Sequence, residues 1–343
     1  MAIIEGKECF AAMTKAVPRA ISAILAALIF LMCFSGCSPS PTALTVGGRK
    51  VDASEYAFFL HANRVLGDGD GETGLLGLLS AAREGAVDQI VTSEVIRIKC
   101  RELNLALSDE NRDALKNDKA SLKALMGGDA AYLEYLTDNA LTDRCYDKFC
   151  ETTYYYQMLY AYVTEELDKE LYVDETLRKY FAENYILVKY IRISDLDEEG
   201  YPLDVNLSAQ QRQTANMVHA RLSQGAAFDE MMDGFNDDPV MTDSPQGLVL
   251  SLAEAQGRDY LLAAFGLKAG QVSDVLRWRD GYYIVKRVEL SVGYFETNRA
   301  QILQSAKDFN FQARLDGWKA EAVVKVKKIV DEITLDNLME YVK

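Results

Sequence analysis

Apolar positions along the chain follow two different periods. From 53 to 171 they recur at intervals of three or four, as at Val91 and Val95, which is the spacing of a helix with one buried face. Short β-branched runs bounded by glycine, such as those at 43–51 and 272–288, are typical of strands. The helical half shows no regular strand-helix alternation, so the pattern predicts the α+β class.

The first half is predicted to be mainly helical after a short hairpin. The hairpin turns at Gly47-Gly48, and Asp52 with Glu55 opens a helix in the manner of a capping box. That helix directs Tyr56 and Leu60 inward. The remaining predicted features are a loop at 67–71, a long helix at 81–103, a shorter helix capped by Ser108, and a helical stretch at 130–171 with one break at most.

The C-terminal part is predicted to rejoin the first half. A long helix at 296–320 precedes a partly alternating run at 322–329, whose lysines suit the edge of a sheet. We expect this strand to pair with the hairpin at 43–51. Thr334 then caps a final helix at 335–341.

The stretch 261–290 has the clearest local pattern. A helix ends at Gly266, where a residue tolerant of positive φ is expected. A strand from Val272 to Leu276, a turn at Arg279-Asp280-Gly281 and a strand from Tyr282 to Val288 follow. The Asp-Gly pair between β-branched runs is a hairpin signal, so the stretch predicts a helix and then an antiparallel hairpin.

This stretch resembles the C-terminal half of a parvulin-type peptidyl-prolyl isomerase domain. Upstream segments resemble the rest of that domain in order, over about a third of the chain: a strand at 186–193, a helix at 209–222 that Ser208 would cap and Gly225 would end, and segments at 225–230 and 235–238. The opening hairpin and helix bundle resemble the N-terminal domain of extracytoplasmic foldases that carry such domains. The resemblance therefore implies a folding factor.

The resemblance also assigns a site. A parvulin pocket holds a proline ring and favours the twisted amide, with no covalent step. The implied catalytic positions are Tyr190 and Tyr283, in place of two histidines, and Asp238. The implied substrate positions are Gln256, Tyr260, Phe265 and Trp278.

Several of these residues depart from the family pattern. Trp278 adds bulk where the family has threonine, and Gln256 adds polarity where it has methionine. Two interpretations stay open: a weak isomerase in which tyrosines replace histidines, or a packed sheet face without turnover. The second implies a non-catalytic holdase.

The net charge and the local motifs limit the classes of partner that the chain could bind. A net charge of −15 argues against a nucleic-acid partner, which needs a basic face. Asp195, Asp197 and Glu199 match the first positions of a calcium-binding loop, but Asn206 occupies the position of the bidentate carboxylate, so we interpret the segment as an acidic turn. We expect no metal and no cofactor.

The N-terminal segment predicts export. A basic region precedes an apolar run at 20–34, and the sequence Phe34-Ser35-Gly36-Cys37 resembles a bacterial lipobox. In that family Cys37 carries lipid, which implies an extracytoplasmic protein anchored to a bacterial membrane. An uncleaved anchor is the alternative.

The predicted organisation has five parts. They are a signal peptide at 1–36, a lipidated tether with the first strand at 37–48, a helical chaperone-like domain at 49–175, a parvulin-like domain at 176–292, and a segment at 293–343 returning to the helical domain. The expected partners are unfolded or partly folded exported polypeptides. The tyrosine-rich helices at 132–162 are interpreted either as an adaptable binding surface or as core. A solute-binding lipoprotein is disfavoured, because it would need two α/β lobes.

Overall fold

A computed structural model of the chain describes residues 40–64 and 75–342. The predicted signal peptide, Cys37 and the loop at 67–71 lie outside the described residues. Within the two described ranges, no helix is both long enough and apolar enough to cross a membrane. From Thr42 onward the described residues form one unit.

A small antiparallel sheet joins the two ends of the described chain. Its strands are β1 (Thr42–Val46), β2 (Arg49–Asp52) and β7 (Val324–Val326), in the order β2-β1-β7. Gly47 and Gly48 both have positive φ, 54° and 79°, which a two-residue hairpin turn of this type requires. β7 pairs with β1, so the C-terminal strand returns to the hairpin, although it is shorter than 322–329.

Three helices of the first half begin at polar caps. Asp52 accepts a hydrogen bond from the Glu55 N–H at the start of α1, and Ser108 caps α3 through the Asn111 N–H. The helices are α1 (Ala53–Ala62), α2 (Leu75–Glu102), α3 (Asp109–Met126), α4 (Asp129–Asp138) and α5 (Asp143–Tyr162).

The predicted helical stretch 130–171 is broken between α4 and α5. Ala140 there has a φ of 53°, and Thr142 caps α5. α5 then continues into a π turn at Val163–Leu167 and a 3₁₀ turn at Lys169–Tyr172. The break turns α5 back along the bundle.

A second antiparallel sheet lies in the middle of the chain, in the order β4-β3-β6-β5. Its strands are β3 (Tyr185–Ser194), β4 (Leu248–Ser251), β5 (Leu276–Trp278) and β6 (Gly281–Val288). The helices around it are α6 (Asp174–Asn184), α7 (Val205–Ser223), α8 (Phe228–Phe235), α9 (Pro239–Asp243), α10 (Leu252–Ala255) and α11 (Asp259–Phe265).

The chain closes with α12 (Val292–Glu321), which is interrupted at the non-helical Asn298, then α13 (Ile329–Glu332) and a 3₁₀ turn at Leu338–Tyr341. The side chains form two main cores. The first core joins the three-stranded sheet to α1, α2, α5 and α12. The second core fills both faces of the four-stranded sheet. The fold is therefore α+β, with a helical part built from both ends of the chain.

Four local predictions were wrong. Gly266 has a φ of −79°, because the chain stays near helical geometry at the end of α11. Ser208 lies inside α7, whose cap is Asp204, the acceptor for the Asn206 and Leu207 N–H groups. The strand predicted at 272–276 lies instead at 276–278, and Val272 makes only an isolated bridge. Thr334 caps no helix, since its N–H donates to Asn337 and the last helical turn starts at Leu338.

Candidate functional site

The predicted site lies on one face of the four-stranded sheet. Tyr283 on β6 pairs opposite Arg192 on β3, and Tyr190 pairs opposite Val285. Directly paired residues of an antiparallel sheet point to the same face, and residues two apart on a strand share that face. Tyr190, Arg192 and Tyr283 therefore lie together, and α11 packs over them and adds Tyr260.

Four aromatic rings meet there, and we call Tyr190, Tyr260, Trp278 and Tyr283 the ring cluster. The rings of Tyr260 and Tyr283 stack with centroids 3.9 Å apart and an interplanar angle of 20°. Tyr190 lies 5.6 Å from Tyr260 and 5.7 Å from Tyr283. Trp278 lies 6.0 Å from Tyr260. Four of the seven predicted site residues thus meet in the ring cluster, and a fifth, Asp238, contacts it through Tyr190.

The ring cluster fills its own space. Tyr283 is 2% exposed, Tyr190 4% and Tyr260 6%. A ring inserted between Tyr260 and Tyr283 would need their centroids about 7–8 Å apart, since carbon atoms pack at about 3.5–4.0 Å. At 3.9 Å the two rings touch each other directly. A proline ring therefore has no place between them in this conformation.

Asp238 is tied into the structure on both oxygens. Tyr190 Oη donates to Asp238 Oδ2 at 3.0 Å, and the Val240 N–H donates to Oδ1 at 2.9 Å, which makes Asp238 the cap of α9. The side chain is buried. Burial, reinforced by the charge of Asp238, raises the pKa of Tyr190 above its usual value. Asp238 is thus positioned as a structural acceptor.

A second set of polar contacts in the site, centred on Asp280, was not predicted from the sequence. Tyr283 Oη donates to Asp280 Oδ1 at 3.0 Å, and Arg192 Nη1 donates to Asp280 Oδ2 at 2.9 Å. Arg192 also donates to the Asp237 carbonyl at 2.9 Å. Burial, with the nearby Tyr260 and Asp280, raises the pKa of Tyr283. Side chains two positions apart on a strand point to the same face. The position of Arg192 two residues after Tyr190 was therefore the signal that could have placed Arg192 in the site.

The other two predicted residues lie outside the ring cluster. Gln256 is exposed just after α10. Phe265 is half-buried and packs against the second core at the end of α11. Among the described residues, no aromatic ring pair joins Phe265 to the ring cluster.

The acidic turn after β3 is occupied by protein groups. Arg277 Nη2 donates to Asp195 Oδ2 at 2.6 Å, and Asp197 Oδ1 accepts from the Tyr201 N–H at 2.8 Å within its own turn. Across residues 40–64 and 75–342, no group of three His, Cys, Asp or Glu side chains is placed to hold a metal ion. These carboxylates stabilise the loop through hydrogen bonds.

Comparisons with known proteins give curated sequences from two strains of one species and several solved structures. No family model matches the chain. The curated Foldase protein PrsA of Clostridium botulinum is 21% identical over 262 residues, covering 72% of this chain and 74% of that protein. The chain therefore resembles the PrsA-type foldases, as its motifs predicted.

Three solved structures are similar at lower identity. The peptidylprolyl isomerase PrsA from Bacillus anthracis is 17% identical with a TM-score of 0.37, covering 68% of this chain and 95% of that one. The foldase protein PrsA from Streptococcus pneumoniae is 19% identical with a TM-score of 0.31, covering 76% and 89%. A SurA-like chaperone from Campylobacter jejuni is 11% identical with a TM-score of 0.31, covering 84% and 100%.

Proposed function

We propose that this chain is an extracytoplasmic folding factor that binds unfolded or partly folded exported polypeptides without catalysing proline isomerisation. The similarity to a curated foldase supports the general role. The contact between Tyr260 and Tyr283 supports the non-catalytic mode, because it leaves no gap for a proline ring between two residues that the resemblance assigns to the pocket.

The physical requirement of catalysis supports the same choice. Rotation about an X-Pro bond meets a barrier of about 18–20 kcal/mol, and an isomerase lowers it by holding the ring while polar groups favour the twisted amide. Here Tyr190 and Tyr283 each donate their hydroxyl to a carboxylate of the protein. Neither hydroxyl is left pointing at an open pocket.

The second candidate is a parvulin-type isomerase with a remodelled site. Tyr190, Asp238 and Tyr283 would act on the amide, and Gln256, Tyr260, Phe265 and Trp278 would hold the proline. The observation that favours it is the hydrogen bond between Tyr190 and Asp238, which joins two positions that the resemblance assigns to catalysis. Under this alternative the ring of Tyr260 must swing away from Tyr283 before substrate enters.

The aromatic side chains of the helical part support client binding. Tyr132 is buried, whereas Tyr154, Tyr155 and Tyr156 are half-buried and Phe149 is exposed. Half-buried tyrosines offer an apolar ring and a hydroxyl to varied polypeptides at low entropic cost. The proposal therefore combines the two sequence interpretations of these aromatics: Tyr132 belongs to the core, and the half-buried rings belong to a surface that can bind clients.

The proposal also includes a lipid anchor on Cys37 and the boundaries of the two domains. Lipid on Cys37 would hold the protein at the outer side of a bacterial membrane, where exported chains emerge unfolded. The helical chaperone-like domain would span 49–175 with 293–343, and the parvulin-like domain 176–292. Mass spectrometry of the protein isolated from bacterial membranes tests the lipid directly.

The main test pairs two assays on the full chain in nanodiscs. A protease-coupled assay on a short X-Pro peptide measures isomerisation, and light scattering of a chemically unfolded protein measures suppression of aggregation. We expect no acceleration above empty nanodiscs, together with clear suppression. Acceleration that is lost in Tyr260→Ala would instead establish the isomerase alternative. Absence of both activities would overturn the proposed role as a folding factor.

A further inference from the structure

Strand β7 lies at one end of the three-stranded sheet, so only one of its two sides pairs with another strand. Hydrogen bonds between antiparallel strands alternate along a ladder. The Gly47 N–H donates to the Val323 carbonyl at 3.0 Å, and the Lys327 N–H donates to the Ala43 carbonyl at 2.8 Å. In this register Val324 and Val326 direct their N–H and C=O groups away from β1.

Those outward groups are available for pairing. Among the described residues, no hydrogen bond satisfies the main-chain N–H or C=O of Val324 or Val326. The flanking side chains are also open to solvent, with Val323 63% exposed and Val326 51% exposed. An edge of this kind is a template for one more strand.

An apolar cleft of about 520 Å³ lies beside this edge. It is bounded by α2, the end of α12, β7 and α13. Four valines give it an apolar floor, and five charged residues form the rest of its lining: Val87, Val91, Val324 and Val330, with Arg83, Glu84, Asp88, Lys319 and Asp331. Lys319 pairs with Asp88 at 2.7 Å, so the acidic side chains of an added strand are expected on the opposite face, at Lys325, and not in the cleft. The volume lies within the range of roughly 300–1,000 Å³ that is common for binding sites. An added strand would place alternate side chains in this cleft.

The charges at the edge select what pairs with it. Lys325, Lys327 and Lys328 are all exposed, in a chain whose net charge is −15. A second copy pairing antiparallel through the same edge would set lysine against lysine, which is unfavourable. A strand that carries acidic side chains would instead meet opposite charge.

We propose that β7 and the valine-lined cleft bind an extended client segment in which apolar and acidic residues alternate, by adding it to the sheet as a fourth strand. Apolar side chains of the segment enter the cleft on the face of Val324 and Val326, and acidic side chains meet Lys325 on the opposite face. This inference rests on the proposed function, because it names the class of client segment that the folding factor takes.

The test uses a fluorescein-labelled decapeptide of alternating valine and glutamate and the full chain in nanodiscs, with binding followed by fluorescence anisotropy. Val326→Pro removes the outward N–H and leaves the ladder to β1 intact, since residue 326 makes no bond to β1 in this register. We expect this change to weaken binding about tenfold. The matched control Val326→Ala keeps the N–H, and its affinity should stay within about twofold.

Two further variants separate the cleft from the edge. Val87→Trp fills the cleft from α2 and leaves the outward main-chain groups of β7 in place, and it should also weaken binding of the valine-glutamate peptide. Lys325→Glu should weaken that peptide and strengthen binding of a valine-lysine peptide. Circular dichroism confirms that each variant is folded before it is compared.

Several results would overturn the inference. One is a parent chain that does not bind the valine-glutamate peptide, and another is binding that Val326→Pro leaves unchanged. A concentration-dependent dimer that Val326→Pro dissociates would assign the edge to a second copy. The aggregation assay distinguishes the two proposals: suppression that persists while the edge variants have no effect leaves the folding-factor role standing and removes only this site.

Discussion

The two cores of this protein bury polar groups in different ways. The first core contains an ionic quartet of Arg49, Glu55, Glu94 and Lys148. Glu94 is 0% exposed, with Oε2 2.5 Å from Arg49 Nε and Oε1 2.6 Å from Lys148 Nζ. Lys148 Nζ also donates to both oxygens of Glu55, at 2.7 and 2.8 Å. The second core instead buries phenol groups that donate to Asp238 and Asp280.

The quartet links elements that are distant in the sequence. Arg49 lies on β2, Glu55 on α1, Glu94 on α2 and Lys148 on α5. Burial opposes ionisation of Glu94, but Lys148 and Arg49 together lower its pKa below the usual value. Burial raises the pKa of Glu55 against the attraction of Lys148. The quartet therefore fixes the hairpin that supports the open edge of β7.

The contrast between the two cores indicates which part of the molecule to test for function. In the second core, the tyrosines to which a family resemblance assigns catalysis donate to neighbouring carboxylates, and the rings of Tyr260 and Tyr283 touch each other. In the first core, the sequence predicted an edge strand and an aromatic surface but no cleft, and the sheet held by the quartet keeps an unpaired edge beside one. The non-catalytic mode that we propose rests on this difference between the cores, because a fold does not by itself fix an activity.

The largest expected effect breaks the quartet. Lys148→Met leaves two buried carboxylates without their shared ammonium, so we expect the free energy of unfolding to fall by about 3–5 kcal/mol. Urea unfolding followed by circular dichroism measures this change. We also expect weaker binding at the β7 edge, because the hairpin loses its attachment to α5.

The control for this prediction is an exposed ion pair. Lys116 and Asp113 form one on the surface of α3, so Lys116→Met should cost less than about 1 kcal/mol. A Lys148→Met variant as stable as the Lys116→Met variant would mean that water reaches the quartet. The quartet would then contribute no more to stability than an exposed ion pair does.

Local chemistry was predictable from the sequence, and long-range contacts were not. The Asp52 cap and the Gly47-Gly48 turn depend on residues within a few positions of each other, and both are present. The quartet joins Arg49 to Lys148 through Glu94, so only the tertiary structure brings its members together. Pattern alone cannot detect such a contact.

The ring cluster illustrates the same limit. Its residues were named in advance from a resemblance, and their roles in catalysis or substrate binding stay predictions. The stacking of Tyr260 on Tyr283 depends on how closely α11 approaches the sheet, which sequence does not report. Gly266 was misjudged for a related reason, because the geometry at a helix end depends on where the following chain must go.

The next largest effect concerns the second core. Tyr190→Phe keeps the ring but removes the hydroxyl that donates to Asp238, so we expect a loss of about 2 kcal/mol in the free energy of unfolding. Urea unfolding at neutral pH measures it. The matched control is Tyr201→Phe at a position that is 69% exposed, where no measurable change is expected. Equal stability of both variants would show that Asp238 is satisfied without Tyr190.

A pH series sharpens this result. The folded state raises the pKa of Tyr190 above the value of about 10 in the unfolded chain, so its contribution is complete below about pH 10 and is lost as the pH rises further. Relative to Tyr190→Phe, the parent should lose about 1.4 kcal/mol per pH unit above that point. Urea midpoints of both proteins between about pH 9 and about pH 11 check the sign. A stability gap that widens with pH would contradict the burial of Tyr190.

The smallest expected effect tests the helix that covers the opposite face of the four-stranded sheet. Asp204 accepts hydrogen bonds from the Asn206 and Leu207 N–H groups at 2.8 and 3.1 Å, so Asp204→Ala should cost about 1 kcal/mol. Ser208→Ala is the matched comparison, because Ser208 lies one turn inside α7 and alanine favours a helix interior. Thermal unfolding of the two variants measures the difference. If Ser208→Ala were the more damaging change, α7 would begin later than the structure has it and the second core would lose a turn of cover.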